Sequence, residues 1–378
     1  MDLISVERME SYLPGLLDLV EHYVMIESPS TEKEAVDQLV TAVAEDAREL
    51  NAELERRPQS DVGDQLIARW PEQGPGGVLL LTHLDTVHPL GTLDKMGSKR
   101  EGRKWIAPGI FDMKTSIAMA LTAIDALRKE KGELGRSVTL LCTSDEEIGS
   151  QHSRTLIEDL AQEHKLVLCL EPALADGALK TRRKGIGIFE IEVIGQAAHA
   201  GVAPEEGANA ILEMSRQVIR LAELQDHDLG ISVNVGTIEG GTRSNVVPDY
   251  CRAEVDVRIQ APDQADRLER AIMGLEPNLA GAQVRVKGGW NRPPMPRTSA
   301  IADAFHQAQA VASELGFDLA EGWTGGGSDA NFIAPLGMPL LDGLGPIGGA
   351  AHSHDEFIWI DSLPRRTALL AGLIREFE

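Results

Sequence analysis

"VTLLCTSDEEIGS", residues 138–150, starts as an apolar run and ends in three consecutive carboxylates, Asp145, Glu146 and Glu147. The apolar part, Val138 to Cys142, is short and closed by polar residues, which is the pattern of a strand buried on both faces. Strands of that kind belong to parallel sheets covered by helices. Adjacent carboxylates repel one another and resist desolvation, so a fold keeps them on an open, solvated loop or around a cation. What else reaches the end of this strand decides between the two.

Outward from that run, apolar segments alternate with helix-period segments. "GGVLLLTHLD" (76–85) and "KLVLCLEP" (165–172) read as strands, and "MKTSIAMALTAIDALRKEK" (113–131) and "SRTLIEDLAQEH" (153–164) as helices. The order is βαβαβ, and a parallel sheet is expected. Earlier, "STEKEAVDQLVTAVAEDAREL" (30–50) reads as a helix with Thr31 as N-cap, Glu34 three residues on, and apolar Val36, Leu39, Val40 and Val43. From Thr181 the texture changes: "KGIGIFEIEVIG", "ISVNVGTIEGG" and "YCRAEVDVRI" alternate with period two around a helical stretch from about Asn209 to Glu223. "KGGWNRPPMP" (287–296) reads as a Pro-rich return segment. The expected fold class is α/β: a mixed, mainly parallel sheet flanked by helices, with a smaller α+β domain inserted. The catalytic domain would comprise 1–179 and 291–378, and the insertion 180–290.

Composition bounds the function. In 378 residues, 36 Lys and Arg stand against 59 Asp and Glu, a net charge of −23. That balance argues against nucleic acid or anionic lipid as a partner. Cys142, Cys169 and Cys251 are an odd number at unrelated spacings, with no CxxC, which fits reduced, buried thiols. The first residues carry acidic groups and a proline where a signal peptide needs a basic flank, and no stretch is long enough to span a bilayer. A cytoplasmic protein is expected.

Each strand of the βαβαβ unit ends at a group able to bind metal: His83 and Asp85, then Glu146 and Glu147, then Glu171. "PGIFDMK" adds Asp112. Ligands of an open parallel sheet gather outside the carboxyl ends of its strands, so these groups should converge. Histidine and carboxylates without thiolate suit zinc, cobalt or manganese. Several carboxylates at one spot suggest two ions about 3.5–4 Å apart sharing one of them, which together polarise a carbonyl and acidify a water. One glutamate of the pair would then bind metal and the other accept a proton, provided a turn aims both inward. For the tripeptide alone the solvated acidic loop stays open.

"THLDTV", "APGIFDMKTS", "TSDEEIGS", "LCLEPA", "GQAAHAGVAPEEGANAI", "TRSNVVPD", "TGGGSDA" and "AHSHDEF" follow one another between about residues 80 and 360. In combination they resemble the dizinc peptidase family of glutamate carboxypeptidase, aminoacylase, acetylornithine deacetylase and succinyl-diaminopimelate desuccinylase. "TGGGSDA" and the ending "SLPRR" point to the glutamate carboxypeptidase-like members. The resemblance implies a ferredoxin-like inserted lid that also dimerises, and two Zn2+ per chain, with Co2+ or Mn2+ possible. It implies His83 and Glu171 on one zinc, Glu147 and His352 on the other, Asp112 bridging, Asp85 orienting His83, and Glu146 as general base. His354 is a rival to His352, and the family spacing to Glu356 favours the latter. His199 would stabilise the oxyanion, often across a homodimer, while Asn245 and Arg258 would contact substrate carbonyl or carboxylate.

The glycine run Gly325–Gly327 lacks the Lys-Ser or Lys-Thr of a phosphate loop, so backbone passing close to substrate at Gly326 is the expected use. Where glutamate-specific relatives carry a cation before "TGGG", this chain has Trp323 and Thr324. The activity so implied is hydrolysis of an amide next to a free carboxylate, in a small peptide or an N-acyl amino acid, by a dimetal-activated water. The alternatives are a dimetal phosphoesterase, or an inactive binding protein on the same scaffold.

Overall fold

Val138–Thr143 is a strand with every residue buried, and so is Val78–His83. These two pair in parallel with His83 opposite Thr143, and Val78–His83 pairs in parallel on its other side with Leu166–Cys169, Leu81 opposite Cys169. Register alone therefore brings His83, the residues after Thr143 and those after Cys169 to one edge. The computed structural model describes residues 1–74 and 76–378.

The full sheet has eight strands in the order Glu53–Arg57, Gln65–Trp70, Val138–Thr143, Val78–His83, Leu166–Cys169, Leu340–Asp342, Leu179–Arg183, Glu321–Thr324. Its first two strands are antiparallel, and the sequence reading did not anticipate them. Helix Thr115–Lys131 joins the first two parallel strands and is buried on nearly all sides, which fits its weak polar face, and it packs against Leu363–Glu376 and Leu13–Val24. The three cysteines are buried and unbridged. No helix among the described residues is long and apolar enough to cross a membrane.

The chain divides into two units: Met1–Arg182 with Arg297–Thr324 and Ser328–Glu378, and Arg183–Pro296 with Gly325–Gly327. The second unit runs β-α-β-β-α-β, its antiparallel sheet ordered Ser232–Gly240, Tyr250–Ile259, Gly185–Ile194, Gln283–Arg292. Phe189, Ile191, Val193, Ala253, Val255 and Val257 alternate inward to form its core, as the period of two requires. Helix Ala210–Ala222 begins where Asn209 accepts the Leu212 N–H at 2.9 Å.

Two local readings are corrected. The helix expected from Thr31 starts at Lys33, capped by Glu32 without a side-chain bond. A parallel bridge of Pro29 to Thr86, with the Ser30 N–H donating to the Thr86 carbonyl, keeps the preceding residues extended. And "KGGWNR" is no return segment: it completes strand Gln283–Arg292, with a positive φ at Gly288 where any Cβ would strike the Ile188 carbonyl.

A small antiparallel sheet in the first unit matters for the site. In it Phe357–Trp359 pairs with Lys104–Ile106, Phe357 opposite Ile106, and Gly348–Gly349 flanks the former. It sets the loop containing His352 against the one leading to Asp112.

Candidate metal centre

His83 ends its strand 2 % exposed. Its Nδ1 donates to the Asp85 backbone carbonyl at 2.9 Å, which fixes the ring and turns Nε2 toward Asp112 Oδ1, 3.1 Å away, and Glu171 Oε1, 3.7 Å away. The Asp85 carboxylate, expected to orient that ring, lies 3.6 Å from Nδ1. Its hydrogen bonds go elsewhere: it accepts from the Ser30 hydroxyl at 2.7 Å and from the peptide N–H groups of Glu146 and Glu147 at 3.2 and 3.1 Å. Burial lifts its pKa to about 6, with His83 opposing.

Those two peptides begin the 3-10 turn Glu146–Ile148, which ends at Gly149 with φ 101°. The three carboxylates thereby take three different environments. Asp145 is fully buried and accepts from the His152 N–H at 2.7 Å and the Ser153 hydroxyl. Glu147 reaches within 3.3 Å of His352 Nε2, and its other oxygen, Oε1, is buried with no hydrogen-bond partner. Glu146 is part-buried, and its charge is among those that act on His83. An open acidic loop would show none of this.

His352 is half exposed and adopts a left-handed φ of 63°, which places Nε2 3.5 Å from Asp112 Oδ2. Non-glycine residues are held in that region where surrounding structure fixes them, and such positions cluster at functional sites. His354 stays exposed. Asp112 thus stands between two imidazoles, one at each carboxylate oxygen. Burial alone would raise its pKa, but His352 and His83 hold it well below the usual carboxylate range. Burial likewise opposes charge on His83, which its carboxylate neighbours, Asp112 first, raise well above the ordinary value, while hydrogen bonds to Asp112 and Glu147 lift His352 to about 10. Both imidazoles would give up those protons to act as ligands, so cation binding here is coupled to proton release.

The residues fit a divalent cation. Ligand atoms on one tetrahedral zinc lie about 3.3 Å apart, from bonds of about 2.0–2.1 Å. The pairs above span 3.1 to 3.7 Å, and His83, Asp112 and Glu147 each offer an atom within 4.8 Å of the others. An unpartnered buried carboxylate oxygen such as Glu147 Oε1 is costly unless something positive meets it. Asp85→Asn, which in either orientation sets an amide N–H2 against one of the turn's peptide N–H groups, is expected to weaken cation binding 10–100-fold. Titration of the metal-stripped variant measures it.

The remaining expected site residues lie in the second unit. His199 is exposed and bridges to Val246, and the Ala200 N–H donates to the Asn245 carbonyl at 3.1 Å, so His199 and Asn245 share one loop pair. Arg258 pairs with Asp256 and approaches the Gly325 carbonyl at 3.5 Å. Arg183, buried, donates to the carbonyls of Gly326 and Gly327 at 3.4 and 2.9 Å. At Gly327 a Cβ would meet Ile186 at 2.5 Å, so packing, rather than approach to a substrate, requires a glycine there. Sequence reading missed Arg183's grip on this run.

Two solved structures share the fold: aminopeptidase PepT of Bacillus cereus, with a TM-score of 0.77, 22 % identity, and 96 % of this chain and 98 % of that one covered, and an M20 metallo-carboxypeptidase of Sulfolobus solfataricus, at 0.75 and 18 %, covering 95 % and 98 %. Carboxypeptidase G2 of Pseudomonas sp. is 30 % identical over 370 residues, 96 % of this chain and 89 % of that protein. Succinyl-diaminopimelate desuccinylase of Dechloromonas aromatica is 28 % identical, covering 81 % and 85 %. The profile of peptidase family M20/M25/M40 matches residues 79–376, the span that holds every residue of the His83–Asp112–Glu147 cluster together with Glu171 and His352, and the chain belongs to that family of metal-dependent hydrolases.

Proposed function

We propose that this chain hydrolyses an amide bond next to a free carboxylate, in a C-terminal peptide bond or an N-acyl amino acid. The observation that carries the reading is Asp112 shared between two ligand-like sets, His83–Asp112–Glu171 and His352–Asp112–Glu147, each with the spacing of one cation's ligands. Similarity to a carboxypeptidase and a desuccinylase supports both substrate types.

His83 and Glu171 would hold one divalent cation, Glu147 and His352 the other, and Asp112 both. Zinc suits the donors best, with cobalt and manganese as alternatives. Two such ions supply Lewis acidity to the scissile carbonyl and make a water between them more acidic. Glu146 takes the proton of the attacking water and delivers it to the leaving amine. His199 stabilises the oxyanion, and Asn245 and Arg258 meet the substrate's carbonyl and carboxylate; Gly326 offers backbone to it. Family likeness supports these roles and a homodimer formed through the inserted domain. The buried, unbridged cysteines support a reducing compartment, the cytoplasm.

The test is a panel of dipeptides and N-acyl amino acids, varied in the terminal side chain, offered to metal-reconstituted protein. Release of a free amino acid supports the reading; silence with two ions bound per chain returns the phosphoesterase alternative. Trp323 is 57 % exposed two residues before the glycine run, so apolar and aromatic side chains should outrun glutamate. His199→Ala is expected to lower kcat about 10²–10³-fold, the usual loss for one oxyanion donor, with metal content unchanged.

A further inference from the structure

Behind Asp112 sits an acid that the proposed reaction does not use. Glu356 is 1 % exposed, and its carboxylate accepts four hydrogen bonds. Oε1 accepts from the peptide N–H groups of Phe111 at 2.8 Å and Asp112 at 3.0 Å; Oε2 accepts from the Gly109 N–H at 3.0 Å and meets His88 Nε2 at 2.6 Å. His88 is itself buried. A buried carboxylate is expensive unless its lone pairs are met, and these are met almost entirely by the backbone of one loop, residues 109–112.

The other end of Glu356 is tied as firmly. The ladder that sets Phe357 against Ile106 continues one step, with the Ala107 N–H donating to the Glu356 carbonyl at 3.3 Å. The Glu356 N–H closes a turn on the Ser353 carbonyl at 3.2 Å, one residue beyond His352. One side chain therefore fastens the loop of Asp112 to the loop of His352, and those two loops bring Asp112 Oδ2 and His352 Nε2 to 3.5 Å.

We infer that Glu356 is a positioning residue: by clamping the Asp112 loop to the His352 loop it sets the affinity of the cation on the His352 side of Asp112. The inference rests on the two-cation reading above. Glu356→Gln keeps the size but supplies one acceptor oxygen and one N–H2, so in either orientation at least one peptide N–H of residues 109–112 loses its partner.

The experiment titrates metal-stripped protein with Co2+, following heat and the visible absorption of the bound ion. Wild type is expected to take two equivalents. In Glu356→Gln one equivalent should weaken 10–100-fold, as support of a ligand loop typically does, while the other stays within about threefold. In a His352→Ala background, which already lacks the affected equivalent, Glu356→Gln should change the remaining one little. If the variant does not fold, His88→Ala carries the test: it leaves Glu356 and the peptide donors in place, and should weaken the same equivalent about 3–10-fold. Two equivalents at wild-type affinity in the folded variant overturn the inference, and so does an equal loss of both. A wild type that binds no second equivalent defeats the two-cation reading itself, a separate outcome.

Discussion

Glu146→Gln is expected to lower kcat about 10³-fold while the protein keeps its full metal content. The substitution is isosteric, and the Glu146 peptide N–H stays bonded to Asp85, so the turn that aims Glu147 at His352 is undisturbed. What is lost is the ability to take a proton. A positioned general base contributes 10²–10⁴-fold, so three decades correspond to about 4 kcal/mol of barrier. Glu147→Gln should behave differently, losing metal along with turnover, because one carboxylate oxygen lies 3.3 Å from His352 and the other is buried with no hydrogen-bond partner. Near wild-type kcat in Glu146→Gln, at equal metal content, removes Glu146 from the role of base.

Asp112→Ala should be more severe still. One carboxylate faces both imidazoles, so its removal strips a ligand from both sets, and metal-dependent turnover should fall beyond detection, more than about 10⁴-fold. The effect on stability separates loss of metal from loss of fold. Metal added to stripped wild type at a thousand times its Kd should stabilise by about 4 kcal/mol, and the variant should show no such rise in Tm. The metal-free forms should differ in their pH dependence as well. A His352 pKa of about 10, raised by Asp112 and Glu147, contributes stability that is fully present below the ordinary histidine value and lost as pH climbs through about 10. Thermal melts between pH 6 and 10 should therefore fall less steeply for metal-free Asp112→Ala than for metal-free wild type.

The convergence of His83, Glu146, Glu147 and Glu171 was legible because apolar runs expose strand order, and a parallel register places strand ends together. Asp112 lies outside that strand pattern, and only the resemblance implied that it bridges two ions. That it faces two imidazoles depends on Glu356, 244 residues further on, and on a short sheet whose strands of two and three residues leave no periodic trace. His352 shows the same limit: its left-handed backbone arises from the loop around it rather than from its own preference. Asp145 looked like one of three equivalent acids, yet Ser153 and the His152 peptide draw it inward, a pairing that no local pattern announces. Among strands, "KGGWNR" was hidden by its glycines and by the prolines that follow, while strand Gly185–Ile194 was plain from strict alternation.

The central claim is that hydrolysis here needs two cations held around Asp112. The measurement that meets it most directly is turnover of an N-acyl amino acid by metal-stripped protein as zinc or cobalt is returned in fractions of an equivalent. The account predicts no hydrolysis without metal, and activity that reaches its plateau at two equivalents per chain. Full turnover by the stripped protein, or a plateau at one equivalent with no further change, would contradict it.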